Sequence, residues 1–209
     1  MPTTPKYALR YPAPTDPADV PTDIGNLATD VETTLGRFTA YGTTLPASPA
    51  DGQEAILVDS TTNPAYHWQF RYNAGSSSTY KWEFVGGAPI VVTQSYDQQN
   101  STSYVNGNSP AQFTLPRAGD WLIAVTALQK ADTSGGTAFT SVAVGATASA
   151  DTFAVWAPFL PFYTGPGVAR GRFNGVSASA LVTTQMKVSG AGYNVSQART
   201  IEVTPIRVS

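Results

Sequence analysis

Two hydrophobic periods divide the chain. Ile24, Leu27, Val31, Leu35 and Phe38 follow one another at spacings of three, four, four and three, the repeat of a helix with one apolar stripe. That spacing predicts a helix from Thr22 or Asp23, either of which can cap it, to Phe38. Gly25 and Gly36 weaken the helix, and about two heptads are marginal for an isolated coiled coil, so the stripe must lean on something. Two supports are open: packing on its own domain, or a short bundle of copies around an oligomer axis.

Before the helix, residues 1–21 hold six prolines (Pro2, Pro5, Pro12, Pro14, Pro17 and Pro21). Each lacks a backbone donor and pushes its predecessor toward extended geometry, so this segment reads as an arm. Tyr7, Leu9 and Tyr11 alternate along it. The alternation fits either a strand-like arm that docks on a partner or a solvated tail.

After the helix the period changes to two. Residues 45–52, rich in Pro, Ala and Gly, form a linker, and residues 54–59, 66–72 and 80–86 are strand candidates separated by turn-forming stretches. They predict a small antiparallel meander in which Trp68 shares a face with Phe70 and Trp82 with Phe84. A sheet of this size is marginal alone. From residue 88 onward eight further strand candidates follow, at 90–96, 112–116, 120–129, 138–146, 152–159, 168–173, 180–188 and 198–208. Their number and loop lengths predict a β-sandwich of jelly-roll type. The segment 120–129 is apolar on both faces and should be central, Gly165-Pro166-Gly167 reads as a turn, and Pro205 places the last strand at an edge or on a bulge.

The expected protein is therefore mainly β, in four parts. Residues 1–21 are a Pro-rich extended arm, 22–44 a short amphipathic helix and linker, 45–87 a small aromatic β-meander, and 88–209 a C-terminal β-sandwich head.

Composition narrows the functions. Charged residues make up 12% of the chain and cysteine is absent, which removes disulfides and thiolate metal sites. Residues 1–87 carry nine acids and five bases, and 88–209 five acids and seven bases, with no dense basic stripe; nucleic acid is not an expected ligand. The N-terminus lacks the pattern of a secretion signal, and no apolar run approaches a membrane span, so no membrane insertion is expected.

The chemistry of an enzyme is also missing. His67 is the single histidine and sits between Tyr66 and Trp68, which reads as a structural or surface residue. No nucleophile elbow, metalloprotease, phosphate-loop or dinucleotide motif is present. Asp97, Asp120, Asp132 and Asp151 occupy turn-like contexts, which leaves a polysaccharide depolymerase as a low-ranked alternative. No catalytic residue, metal ligand or cofactor is assigned. Phe153, Trp156, Phe159, Phe162 and Tyr163 crowd into a Pro-containing stretch, a candidate contact for a sugar ring or a neighbouring subunit.

Two stretches resemble known proteins. Residues 7–35, YALRYPAPTDPADVPTDIGNLATDVETTL, resemble the N-terminal arm and helix of tailed-bacteriophage virion proteins. Residues 45–87 resemble a module of phage tail fibres, minor tail proteins and head fibres. The residues that carry this are the Pro49, Asp51 and Gly52 turn, His67-Trp68, Arg71-Tyr72 and Lys81-Trp82-Glu83-Phe84-Val85-Gly86-Gly87. QFTLPRAGDWLIAV and IEVTPIRV are similar to strands of C1q-like or tumour-necrosis-factor-like trimeric jelly rolls. The resemblance implies a homotrimer on the exterior of a virion, a non-enzymatic tail-fibre-like component that binds a host cell-surface glycan. Its anchor would be the arm and helix, docked on tail, baseplate or capsid proteins; the alternative is a capsid decoration or head-fibre protein.

Overall fold

The computed structural model describes residues 1–4, 8–17, 19–36, 40–131, 137–158, 164–190 and 194–209, with backbone alone at 36, 130–131, 156–158, 164–166 and 194–197. One helix, α1 (Val20–Gly36), precedes a run of strands. Four short ones come first: β1 (Ala40–Gly42), β2 (Glu54–Val58), β3 (His67–Tyr72) and β4 (Trp82–Gly86). The head follows with β5 (Ile90–Gln99), β6 (Val105–Asn106), β7 (Gln112–Thr114), β8 (Gly119–Ala131), β9 (Thr137–Val144), β10 (Ala154–Pro158), β11 (Thr164–Val176), β12 (Leu181–Ser189) and β13 (Asn194–Val208).

The head is a jelly roll by its pairing. One sheet runs β5, β13, β8, β11, and the other runs β10, β9, β12 with β6 and β7 both on β12. Numbered in chain order with β6 and β7 as one broken strand, the two sheets read 1-8-3-6 and 2-7-4-5, all antiparallel, which is the double Greek key of that fold. Alternation supplies the core: Trp121, Ile123, Val125 and Ala127 of β8 point inward with Ile201 and Val203 of β13, against Val142 and Val144 of β9 and Val182 and Met186 of β12. As its two apolar faces predict, β8 lies centrally between β13 and β11.

The meander does not stand apart. Strands β2, β3 and β4 pair antiparallel as their spacing predicts, and β4 continues onto the end of β13 through Glu83 opposite Arg207 and Trp82 opposite Val208. Trp68 is fully buried with its ring 5.6 Å from that of Trp121, and its indole N–H donates to the Ala88 carbonyl. Phe70 packs edge-on against Phe84, and Tyr72 against Trp82. Meander and head share one hydrophobic core, which is how so small a sheet gains the support it lacks alone.

Several local expectations change. Gly165-Pro166-Gly167 is not a turn but part of β11. As an edge strand, β11 tolerates a residue without a backbone donor. Gly167 is needed there because a Cβ would sit 2.3 Å from Val155 Cγ1. Pro205 lies in the central strand β13, where the register shifts between Pro205 and Arg207, so the bulge and not the edge accommodates it. Asp97 and Asp120 sit in strands with arginine partners, outside the turn contexts expected of them.

Candidate functional site: the N-terminal helix and arm

Helix α1 begins earlier than its apolar period suggests. Asp19 acts as the cap: its carboxylate accepts from the Thr22 amide and hydroxyl, and its carbonyl accepts from the Asp23 amide at 2.9 Å. Pro21 then falls in the first turn, where a missing amide breaks no helical bond. The helix thus takes in Val20, extending the apolar stripe by one turn to Val20, Ile24, Leu27, Val31 and Leu35. Phe38, expected to end it, lies outside the described residues.

That stripe faces solvent. Its five side chains are between 37% and 64% exposed, whereas Asp23, Asn26, Asp30 and Thr34, along one flank of the stripe, are half-buried. An ordinary surface helix shows the reverse, apolar side in and polar side out. Among the described residues no side chain of the stripe belongs to the core of the head and meander, and the arm lines a groove with Val20, Ile24 and Leu27. Covering the part of one such side chain that remains exposed is worth about 1 kcal/mol.

The polar flank is held by the arm. Arg10 makes a forked ion pair with Asp30, Nη2 to Oδ1 at 2.8 Å and Nε to Oδ2 at 2.9 Å, and its backbone amide donates to the same carboxylate at 2.7 Å. These bonds hold the Asp30 carboxyl below the usual carboxylate range and raise Arg10 above its own. The arm is not extended throughout. Thr3 bridges Arg10 antiparallel, the Tyr11 amide donates to the Pro2 carbonyl, and Ala8 adopts a left-handed φ of 55°, a conformation that costs a non-glycine residue about 1 kcal/mol or more. Of the three candidate docking residues, Leu9 and Tyr11 line a groove of about 370 Å³ with Pro12, Val20, Ile24 and Leu27. Tyr7 lies outside the described residues.

The aromatic stretch in the head is only partly described. Phe153 is half-buried, its ring 5.3 Å from that of Phe173 and against Gly171 at the margin of the core. Trp156 lies in β10 opposite Phe139, its side chain outside the description, as are Phe159, Phe162 and Tyr163 altogether. His67 is exposed at the start of β3, its ring 6.2 Å from that of Tyr41. Asp151 is bound by Lys187 at 2.6 Å and by the Tyr104 hydroxyl at 3.0 Å, and Lys187 also lies over the Tyr104 ring. The Lys187 bond lowers the Asp151 carboxyl, while burial and Asp151 raise the Tyr104 phenol. Among the described residues no three His, Asp or Glu side chains gather as a metal site.

No protein-family model matches the sequence, and no curated protein does. Among solved structures the chain is similar to that of the infectious bursal disease virus Gx strain, with a TM-score of 0.41 and 10% identity over 68% of this chain and 43% of that one. It is similar to the VP2 subviral particle of the same virus at a TM-score of 0.41 and 10% identity, over 72% of this chain and 46% of that one. A third likeness is to the C-terminal carbohydrate-binding module of a laminarinase from Zobellia galactanivorans, at a TM-score of 0.26 and 13% identity over 54% of this chain and 98% of that one. The chain spans less than half the length of the viral chains.

Proposed function

We propose that this chain is a non-enzymatic structural protein on the exterior of a tailed-phage particle, anchored through its arm and helix and presenting the jelly roll outward to a host cell-surface glycan. The observation that carries the proposal is the division of the molecule into two unlike ends. One is a β-head in which most of the described apolar side chains pack in one core, with Val91, Tyr96, Val168 and Leu181 left singly exposed on its strands. The other is a helix with its apolar side uncovered, which suits attachment and not display. The resemblance of residues 7–35 and 45–87 to phage virion segments supplies the setting, and that of the head strands to trimeric jelly rolls supplies a count of three copies.

Imaging of intact particles with gold-labelled antibody against the head tests the location. Gold at the tail tip, and loss of the protein from particles when residues 1–36 are deleted, support a tail-fibre-like attachment protein. Gold over the capsid makes the chain a decoration or head-fibre protein. Particles without label overturn the virion reading. Screening the full chain against host wall polysaccharides tests the ligand class, and a blank there removes the glycan while leaving the structural role.

A further inference from the structure

We infer that the uncovered stripe of α1 is closed by the same helix of further copies of this chain, lying parallel and in register, with the arm of each copy closing over the exposed edge of its neighbour. This goes beyond the virion reading and stands without it.

The residue pattern selects the partner. In heptad positions Ile24 and Val31 occupy a, Val20, Leu27 and Thr34 occupy d, and Pro21, Ala28 and Leu35 occupy e. The flanking charges, Asp23 and Asp30, both occupy g. Where two helices run parallel, g of one faces e of the other, so the carboxylates of one copy meet Ala28 and Leu35 of the next without repulsion. An antiparallel pair sets g against g, so the two arms, each fastened along its own g side by Arg10 and Asp30, meet there and leave Ala28 and Leu35 without an apolar wall to pack on. A separate protein that filled the seam would meet the same acidic edge, but nothing would then require the e positions to be apolar.

The arm explains those e positions. Arg10 fastens it along the g side, through Asp30 and the Asn26 carbonyl, so that Leu9, Tyr11 and Pro12 form a wall beside Val20, Ile24 and Leu27. In a parallel assembly that wall lies where the neighbour's e edge arrives. Pro21, Ala28 and Leu35 are all exposed in the single chain and receive in this way an apolar surface to pack on. The arm thus widens a seam that is too short to hold by itself.

The absence of cysteine makes a direct test available. Full-length Ile24→Cys and, separately, Val31→Cys are oxidised mildly beside a Thr102→Cys surface control. Each is expected to cross-link to its own kind at least about tenfold faster than the control, because association raises the local thiol concentration. Mixed single-cysteine chains, Tyr11→Cys with Ala28→Cys, are expected to cross-link as well, and Leu27→Glu is expected to yield a monomer by light scattering with the head's near-ultraviolet circular dichroism unchanged. Linkage of Ile24→Cys to Val31→Cys in mixture, without self-linkage of either, would show an antiparallel pair and overturn the proposal. A monomeric wild-type chain with cross-linking no faster than the control would overturn it too.

Discussion

Arg199 and Asp97 form an ion pair at 2.6 Å with both side chains sealed from solvent. The pair joins β13 to β5 inside the head and reaches further, since Arg199 also donates to the Ser109 carbonyl while Asp97 accepts from the Asn108 and Gln98 amides. A loop of the jelly roll is thereby pinned to the central strand by charge and not by apolar packing. Removing Arg199 alone leaves a buried carboxylate unpaired, so Arg199→Met should cost about 3–5 kcal/mol in urea unfolding. Arg199→Met combined with Asp97→Leu should cost less than the sum of the two single changes.

Acid should attack the same place. Burial alone would push the Asp97 carboxyl up, but the amides of Asn108 and Gln98 and the charge of Arg199 outweigh it, and the group titrates below the ordinary carboxylate range. A depressed native pKa means that the stabilisation is fully present above the unfolded value of about 4 and is lost as pH falls through the native one. Unfolding free energy measured from neutral to acid pH should decline over that interval, and Asp97→Asn should flatten the decline.

Gly107 lies against this pair with no room for a side chain. An added Cβ would sit 1.6 Å from Asp97 Oδ2 and 2.8 Å from Arg199 Nη1. Gly107→Ala should therefore destabilise the chain by about 3 kcal/mol. Gly25→Ala provides the contrast: nothing lies within 4 Å of the new Cβ, and the helix should gain about 1 kcal/mol of local stability. Thermal melts of the two variants would check both signs.

The shared core of meander and head predicts joint unfolding. Trp68→Ala should cost about 3–5 kcal/mol, the loss expected for a fully buried large aromatic. Tryptophan fluorescence and far-ultraviolet circular dichroism should follow one coincident transition in the wild-type chain. Two separated transitions would show that the meander folds independently of the jelly roll.

The arm clamp should be pH-sensitive in a known direction. The Arg10 bond holds Asp30 ionised to lower pH than usual, so the clamp persists above the ordinary carboxylate value and opens as pH falls through the depressed one. Asp30→Asn should open it at neutral pH, and tryptic cleavage after Arg10 should then be severalfold faster than in the parent chain.

The strands of this protein were legible because alternation is a local property. A residue's side of the sheet follows from its neighbours two positions away, and Trp121, Ile123, Val125 and Ala127 on one face with Leu122, Ala124 and Thr126 on the other declared a central strand without any knowledge of their partners. The apolar stripe of α1 was legible for the same reason. Val20 was missed since it sits beyond the proline-rich boundary, although Asp19 before it carried a capping signal.

Other features depend on residues brought together from far along the chain. Asp97 looked like turn chemistry until Arg199, 102 positions later, supplied its partner across a strand pair. Gly165-Pro166-Gly167 looked like a turn because local propensity says so, and became strand because β8 offered a long edge for β11 to follow. The sequence by itself determined which residues are apolar on which face, and hence the kind of most elements, though not the short strands β1 and β6. Only the tertiary structure decided which faces find partners within the chain. The head built its core from its own strands while the helix kept one polar flank on the arm and left much of its apolar stripe exposed, because burial is a property of the whole packing and no local pattern encodes it.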